Sequence, residues 1–237
     1  MPKREDIRCR TGETRLIVAI DGPSGAGKST LAKRVAQDLG FIYLDTGAMY
    51  RALALKVLQQ GLKLEEEARL AALVQATEID LSERSGRLEV LLDGVDVSDR
   101  IRTPEVSQMA SKISALNIVR QRMLDLQRAL GSRGDVVAEG RDIGTVVFPE
   151  AEVKIYLDAS VGERARRRFE ELRKAGRPTS LEETRREMEE RDKRDRGRDL
   201  APLRQADDAL AIDSSSLDAD TVAERVKQII RRKSIEN

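Results

Sequence analysis

"LIVAIDGPSGAGKST", Leu16–Thr30, is the stretch on which the fold turns. Its first six residues, Leu16–Asp21, are a short apolar run that stops at glycine, the signature of a buried parallel strand. The next eight, Gly22–Ser29, fit GxxxxGK[ST], and a helical pattern opens at Lys28 with Leu31, Val35 and Leu39 spaced four apart before Gly40. Strand, glycine-rich turn and helix in that order predict a phosphate-binding P-loop. Glycines let successive backbone N–H groups turn inward around phosphate oxygens. The helix N-terminus adds partial positive charge. Lys28 is placed to reach β- and γ-phosphates, and the Ser29 hydroxyl to ligate Mg²⁺. The pattern is not the dinucleotide GxGxxG fingerprint. By itself it does not separate a kinase from a GTPase, a motor or a binding module.

Working outward, "FIYLD" (Phe41–Asp45), "DVVAEG" (Asp135–Gly140), "VKIYLD" (Val153–Asp158) and "ALAID" (Ala209–Asp213) repeat the buried-strand signature. With Leu16–Asp21 they predict an α/β chain: a five-stranded parallel sheet with helices on both faces. "AMYRALALKVLQQ" predicts a helix ending at Gly61. Two stretches break the rhythm. "LSERSGRLEVLLDGVDVSDRIRTPEV" (Leu81–Val106) alternates around Ser-Gly and Asp-Gly turns and predicts a small antiparallel insert. Gly162–Asp199 is very polar, helical in composition and interrupted at "AGRPTS", which predicts two exposed helices forming a helical lid. The last twenty residues read as an amphipathic closing helix. The expected layout is a polar tail over 1–15 and a domain over 16–237, with an insert at about 62–110 and a lid at about 160–198.

Composition removes several chemistries. The 237 residues contain no histidine, so there is no Ser-His-Asp triad and no His-ligated zinc. The one cysteine, Cys9, allows neither an internal disulfide nor a CxxC site. Charged residues are 36%, above the roughly 25% of ordinary globular chains, yet the net charge is +1. No whole-molecule field therefore favours nucleic acid or an anionic membrane. Arginine outnumbers lysine 32 to 11, and its planar fork suits phosphate. The first fifteen residues lack the apolar core of a secretory signal, and no run approaches the length of a membrane span. The expectation is a soluble, cytoplasmic protein.

"GPSGAGKSTLAKRVAQDLGFIYLDTGAMYR", "AEGRDIGTVVFPEAEVKIYLDAS" and "ERDKRDRGRDLAPL" together resemble the bacterial cytidylate kinases, P-loop nucleoside monophosphate kinases. The resemblance runs from Leu16 onward and includes the insert. It implies transfer of the γ-phosphoryl group of ATP to CMP or dCMP, with Mg²⁺, by a monomer that engages neither nucleic acid nor membrane. Gly22, Pro23, Ser24, Gly25, Ala26, Gly27, Lys28, Ser29 and Thr30 would bind ATP, with Arg164 and Arg168 added from the lid and the choice among Arg164, Arg166 and Arg168 left open. Thr46, Gly47, Tyr50 and Arg51, from "LDTGAMYR", would bind the acceptor, Thr46 also reading as a helix N-cap. Arg141 would hold the CMP phosphate and Asp142 the cytosine, while Ser111 and Arg120 complete the base pocket. Asn117 stands where relatives often carry proline. A carboxylate can accept from the cytosine N4 amino group, whereas uracil presents an acceptor there and would leave a buried mismatch.

"ERDKRDRGRDL", Glu190–Leu200, carries five basic and four acidic residues. As a helix it places Arg191, Arg194, Asp195 and Arg198 on one face, with Gly197 a possible stop. Asp192, Arg196 and Asp199 fall on another face that reads as solvated. The resemblance implies that Arg191 and Asp195 meet the ribose and Arg198 the phosphate. Lys28, Arg141, Arg191 and Arg198 are the expected catalytic groups. Alternatives are another nucleoside monophosphate kinase, or a P-loop protein that binds nucleic acid through this segment. The second lacks an aromatic for base stacking there.

Overall fold

The computed structural model describes residues 15–84 and 87–236. Cys9, the expected polar tail up to residue 14 and the Ser-Gly turn at 85–86 lie outside them. β1 (Ile17–Asp21) runs into the glycine turn and α1 (Lys28–Leu39), which stops at Gly40 in the left-handed region, φ 72°. β2 (Ile42–Asp45) leads into α2 (Thr46–Gln59). α3 (Glu67–Gln75) precedes three short strands, β3 (Ile79–Arg84), β4 (Arg87–Leu92) and β5 (Val95–Asp96). α4 (Pro104–Ile113) and α5 (Asn117–Gly131) return the chain to β6 (Val136–Gly140). β7 (Val153–Asp158), α6 (Val161–Lys174), α7 (Leu181–Arg196), β8 (Leu210–Asp213) and α8 (Ala219–Glu236) complete it.

The expected five-stranded parallel sheet is present, in the order β2-β6-β1-β7-β8. Alternation of side chains across each strand feeds two cores. Ala19, Val136 and Ala138 join Leu44, Met49 and Met123 on one face. Val18, Ile20 and Val137 join Val35, Val226 and Ile230 on the other. β8 differs from the buried strand expected: it starts at Leu210, which is 42% exposed, and buries only Ile212. It is one of the two sheet edges, β2 being the other, and among the described residues no strand pairs with its outer flank.

The antiparallel insert is also present, as the sheet β3-β4-β5. Its Asp-Gly turn has positive φ at both Asp93 (49°) and Gly94 (78°), the type I′ geometry that fits two-residue hairpins. The strand pattern ends sooner than the sequence suggested. Arg100–Arg102 is a 3₁₀ turn, and Thr103 caps α4 by accepting from Val106 N at 3.2 Å. The lid is two helices, but not two exposed ones. Arg164, Leu172, Thr184, Met188, Asp192 and Asp195 are buried between and beneath them.

Among the described residues no helix is long and apolar enough to cross a membrane.

Candidate active site

Parallel pairing sets strand ends side by side. Asp21 pairs in register with Gly140, and Asp45 with Glu139. The turns leaving β1, β2 and β6 therefore open on one edge of the sheet, the carboxyl edge where ligands of such sheets bind. Gly22 follows Asp21 with φ 147°, and a Cβ there would lie 1.9 Å from the Leu157 carbonyl oxygen. Only glycine lets the chain turn so close to β7. Lys28, 5% exposed, folds back and donates to the Pro23 carbonyl at 2.7 Å. Burial and the nearby Arg141 lower its pKa to about 7, with Arg191 adding to the effect and Glu139 and Asp21 opposing it.

The residues expected to meet the acceptor come from α2, α4, α5, the turn after β6, and α7. Asp45, rather than Thr46, caps α2: its carboxylate accepts from Ala48 N at 2.7 Å. Thr46 is the first helical residue and donates instead to the Glu139 carbonyl at 2.7 Å, tying α2 to β6. The Arg51 guanidinium sits 3.2 Å from Asp45 and lies across Gly47, where a Cβ would approach it to 3.1 Å. Tyr50 is packed against the core, and burial raises its hydroxyl to about 12. Its ring borders a cavity of about 190 Å³ together with Arg120.

Arg120 and Asp142 form a buried ion pair. Burial pushes the Asp142 carboxyl up, against the pull of Arg120. Ser111 is buried, and its hydroxyl has no hydrogen-bond partner among the described residues. Asn117 opens α5 with no side-chain cap at Leu116. Proline is favoured at that first helical position, so the sequence departure falls where stiffness is ordinarily supplied. After Asp142 the chain makes a π turn, Ile143–Val147, a rare form of helix that is frequent at functional sites.

α7 brings Arg191, Asp195 and, just past its end, Arg198 beside Arg141, an arginine clamp around one carboxylate. Arg141 Nε donates to Asp195 at 3.0 Å, and Arg198 pairs with the other Asp195 oxygen. Burial pushes the Asp195 carboxyl up, but Arg141, Arg198 and Arg191 together outweigh it and hold it below its ordinary value. Arg191 is lowered to about 10, first by burial and then by Arg141, with Arg51 and Arg168 contributing. Gly197 ends the helix, and Arg198 lies just beyond it. Arg194 is exposed, unlike the other three on its predicted face, but it borders a cavity of about 220 Å³ with Ser24, Ser111, Arg168 and Arg191. Arg168 is also 3.1 Å from Glu171.

Two expectations fail on geometry. Asp192 is not solvated; it is 3% exposed and paired with Arg164 at 2.7 Å. Arg164, expected on ATP, is 1% exposed and donates to the Ala159 and Ser24 carbonyls. Its guanidinium is committed to the protein.

Three acids escaped the sequence reading. Asp21 accepts from Ile143 N and Gly144 N, both at 2.8 Å, and so fixes the turn that bears Arg141 and Asp142. Burial lifts its carboxyl to about 6 against those two hydrogen bonds. Glu139 takes hydrogen bonds from Tyr43 Oη, at 2.5 Å, and from the Ser29 hydroxyl. Burial, with Asp45 nearby, pushes Glu139 up. Asp45, already described, is the third. The available signal was that the runs Leu16–Asp21 and Phe41–Asp45 end on an acid and that Asp135–Gly140 carries Glu139 just before its last residue. A hydroxyl and a carboxylate in contact are hard oxygen donors, which fits Mg²⁺ held by few protein groups and substrate phosphates.

This sheet, with its glycine loop and lid, defines a P-loop phosphotransferase. The structure of an uncharacterized protein from Eubacterium ventriosum shares the fold, with TM-score 0.51 at 12% identity, covering 92% of this chain and 99% of that one. The family description "Cytidylate kinase" matches residues 18–232, so the chain belongs to the cytidylate kinase family. It is 52% identical over 216 residues to the cytidylate kinase of Syntrophotalea carbinolica, covering 91% of this chain and 92% of that one. It is 50% identical over 222 residues to that of Geobacter sulfurreducens, covering 94% and 95%.

Proposed function

We propose that the chain transfers the γ-phosphoryl group of ATP to CMP, and also to dCMP, giving ADP and CDP or dCDP. The observation that carries this reading is the crowding of like charge in one cleft. Lys28 of the glycine loop and Arg191 of the clamp each have their proton affinity depressed in part by Arg141. Such an excess of positive charge is offset when two phosphate groups enter, one at the loop and one at the clamp.

The loop Gly22–Thr30 holds the donor phosphates, with Arg168 reaching in from the lid. Arg51, Arg141, Arg191 and Arg198 hold the acceptor phosphate, while Asp195 accepts from the ribose. Asp142, oriented by Arg120, reads the cytosine amino group, and Ser111 offers its free hydroxyl. Ser29 and Glu139 would hold Mg²⁺, which neutralises charge between β- and γ-phosphates when bound. An acceptor phosphate oxygen bonds to the γ-phosphorus as the bond to the β–γ bridging oxygen breaks. That oxygen is already largely anionic near neutral pH, since monoesters have a second pKa of about 6. No general base is required, and the chain's contribution is alignment and charge neutralisation. Closure of the insert and lid excludes water from the transfer. The protein acts as a cytoplasmic monomer.

Assaying ATP with CMP, dCMP, UMP, AMP, dTMP and shikimate tests the reading. CMP and dCMP should give the highest kcat/KM. Turnover of another acceptor with none of CMP or dCMP would overturn it.

A further inference from the structure

Arg164 on α6 and Asp192 on α7 are buried at 2% and 5% side-chain exposure, with Nη1 2.7 Å from Oδ2. Both Asp192 oxygens are buried without an aligned hydrogen bond, so the Arg164 contact is what offsets the buried charge. The same Arg164 nitrogen donates to the Ser24 carbonyl at 3.0 Å, and Nε donates to the Ala159 carbonyl at 2.9 Å. The contact continues at Gly25, where a Cβ would meet Met188 Cε at 2.7 Å and Arg164 Cβ at 3.2 Å. The lid helices thus form the outer wall of the glycine loop.

A phosphate loop works only if its N–H groups point inward. In a trans peptide the carbonyl and the following N–H point in opposite directions. Holding the Ser24 carbonyl against Arg164 therefore aims the Gly25 N–H away from the lid wall. Asp192 follows Arg191 directly in α7 and precedes Asp195 by less than a turn. One helix thus carries the acceptor clamp on one face and the brace of the donor loop on another.

We propose that Asp192 is a positioning residue for phosphoryl transfer: through Arg164 it fixes the Ser24 carbonyl and keeps the donor loop in register with the clamp on α7. The inference rests on the glycine loop being the ATP site.

A double-mutant cycle tests it, using Asp192→Asn, Arg164→Lys and the pair, with KM measured separately for ATP and CMP. Contacting residues couple strongly, so the KM for ATP should rise roughly tenfold in each single variant and no further in the double. The KM for CMP should stay within about twofold, because Arg51, Arg141 and Arg198 keep their own carboxylate partners, Asp45 and Asp195. Equal rises for both substrates, or additive effects on ATP, would overturn the proposal. If Asp192→Asn does not fold, Arg164→Lys alone decides. It keeps the counter-charge but cannot span three acceptors, so an unchanged KM for ATP in the folded variant overturns the proposal. Two unfolded variants would assign the pair to stability alone and overturn it as well. Lys28→Met separates the underlying assumption: full ATP turnover in that variant removes the donor site itself, whatever the cycle shows.

Discussion

Lys28 is buried beside Arg141 and Arg191, and burial together with these two cations outweighs the pull of Glu139 and Asp21 to lower its pKa to about 7. A lysine whose folded value lies below its unfolded one contributes stability above the unfolded value and loses it as pH falls through the folded value. Lys28→Met carries no such loss. Melting curves of the ligand-free proteins at about pH 6 and about pH 9 should show the variant gaining on the parent at the lower pH. A difference that does not change with pH contradicts the burial argument. The same variant should lose on the order of 10²–10³ in kcat, as when one preorganised donor to a developing charge is removed. Lys28 was legible in the sequence because GxxxxGK[ST] fixes its place. Asp21, Asp45 and Glu139 were not singled out, because an acid ending a strand is ordinary until register sets it beside another. Asp192 was hidden for a different reason. On its own helix it lies off the clamp face, and only the packing of α6 buries it.

At the level of elements, the parallel strands were readable because a strand buried on both faces is apolar without interruption. The edge strand β8 carries the same run of letters and is half open, since one sequence cannot say which strand lacks a neighbour. The lid helices were readable as helices but not as packed ones, their apolar content being too low to announce a buried face. The glycine turn is the element with least tolerance. At Gly22 both the positive φ and the 1.9 Å approach of a Cβ to the Leu157 carbonyl oxygen act against any side chain. Backbone is what would have to move, so Gly22→Ala should displace β1 from β7. Chemical denaturation should show a loss of at least about 3 kcal/mol, beyond the usual range of single substitutions. A variant of parental stability would mean that the turn relaxes elsewhere.

The whole molecule is a sheet whose carboxyl edge gathers cations from the loop, the insert side and the lid. Ligands that bind only the folded chain stabilise it by about 2.7 kcal/mol at a hundredfold excess over Kd. For a chain of this length that corresponds to a rise of roughly 5–11 °C in Tm. CMP should produce such a rise in a thermal melt, while cytidine, lacking the phosphate, should produce far less. Equal shifts would place the binding energy in the base and not in the clamp. Asp195 adds a consequence of its own. Each of its oxygens engages an arginine, Arg141 on one side and Arg198 on the other. Both arginines are therefore already engaged, by an anion that belongs to the chain. If those arginines take the acceptor phosphate as proposed, it must out-compete a tethered carboxylate before it gains them. Inorganic phosphate, with nothing else to hold it, is at a disadvantage that a nucleotide overcomes through its base and sugar. On that reading, the internal rival turns a site that would attract any anion into one that selects for the whole nucleotide.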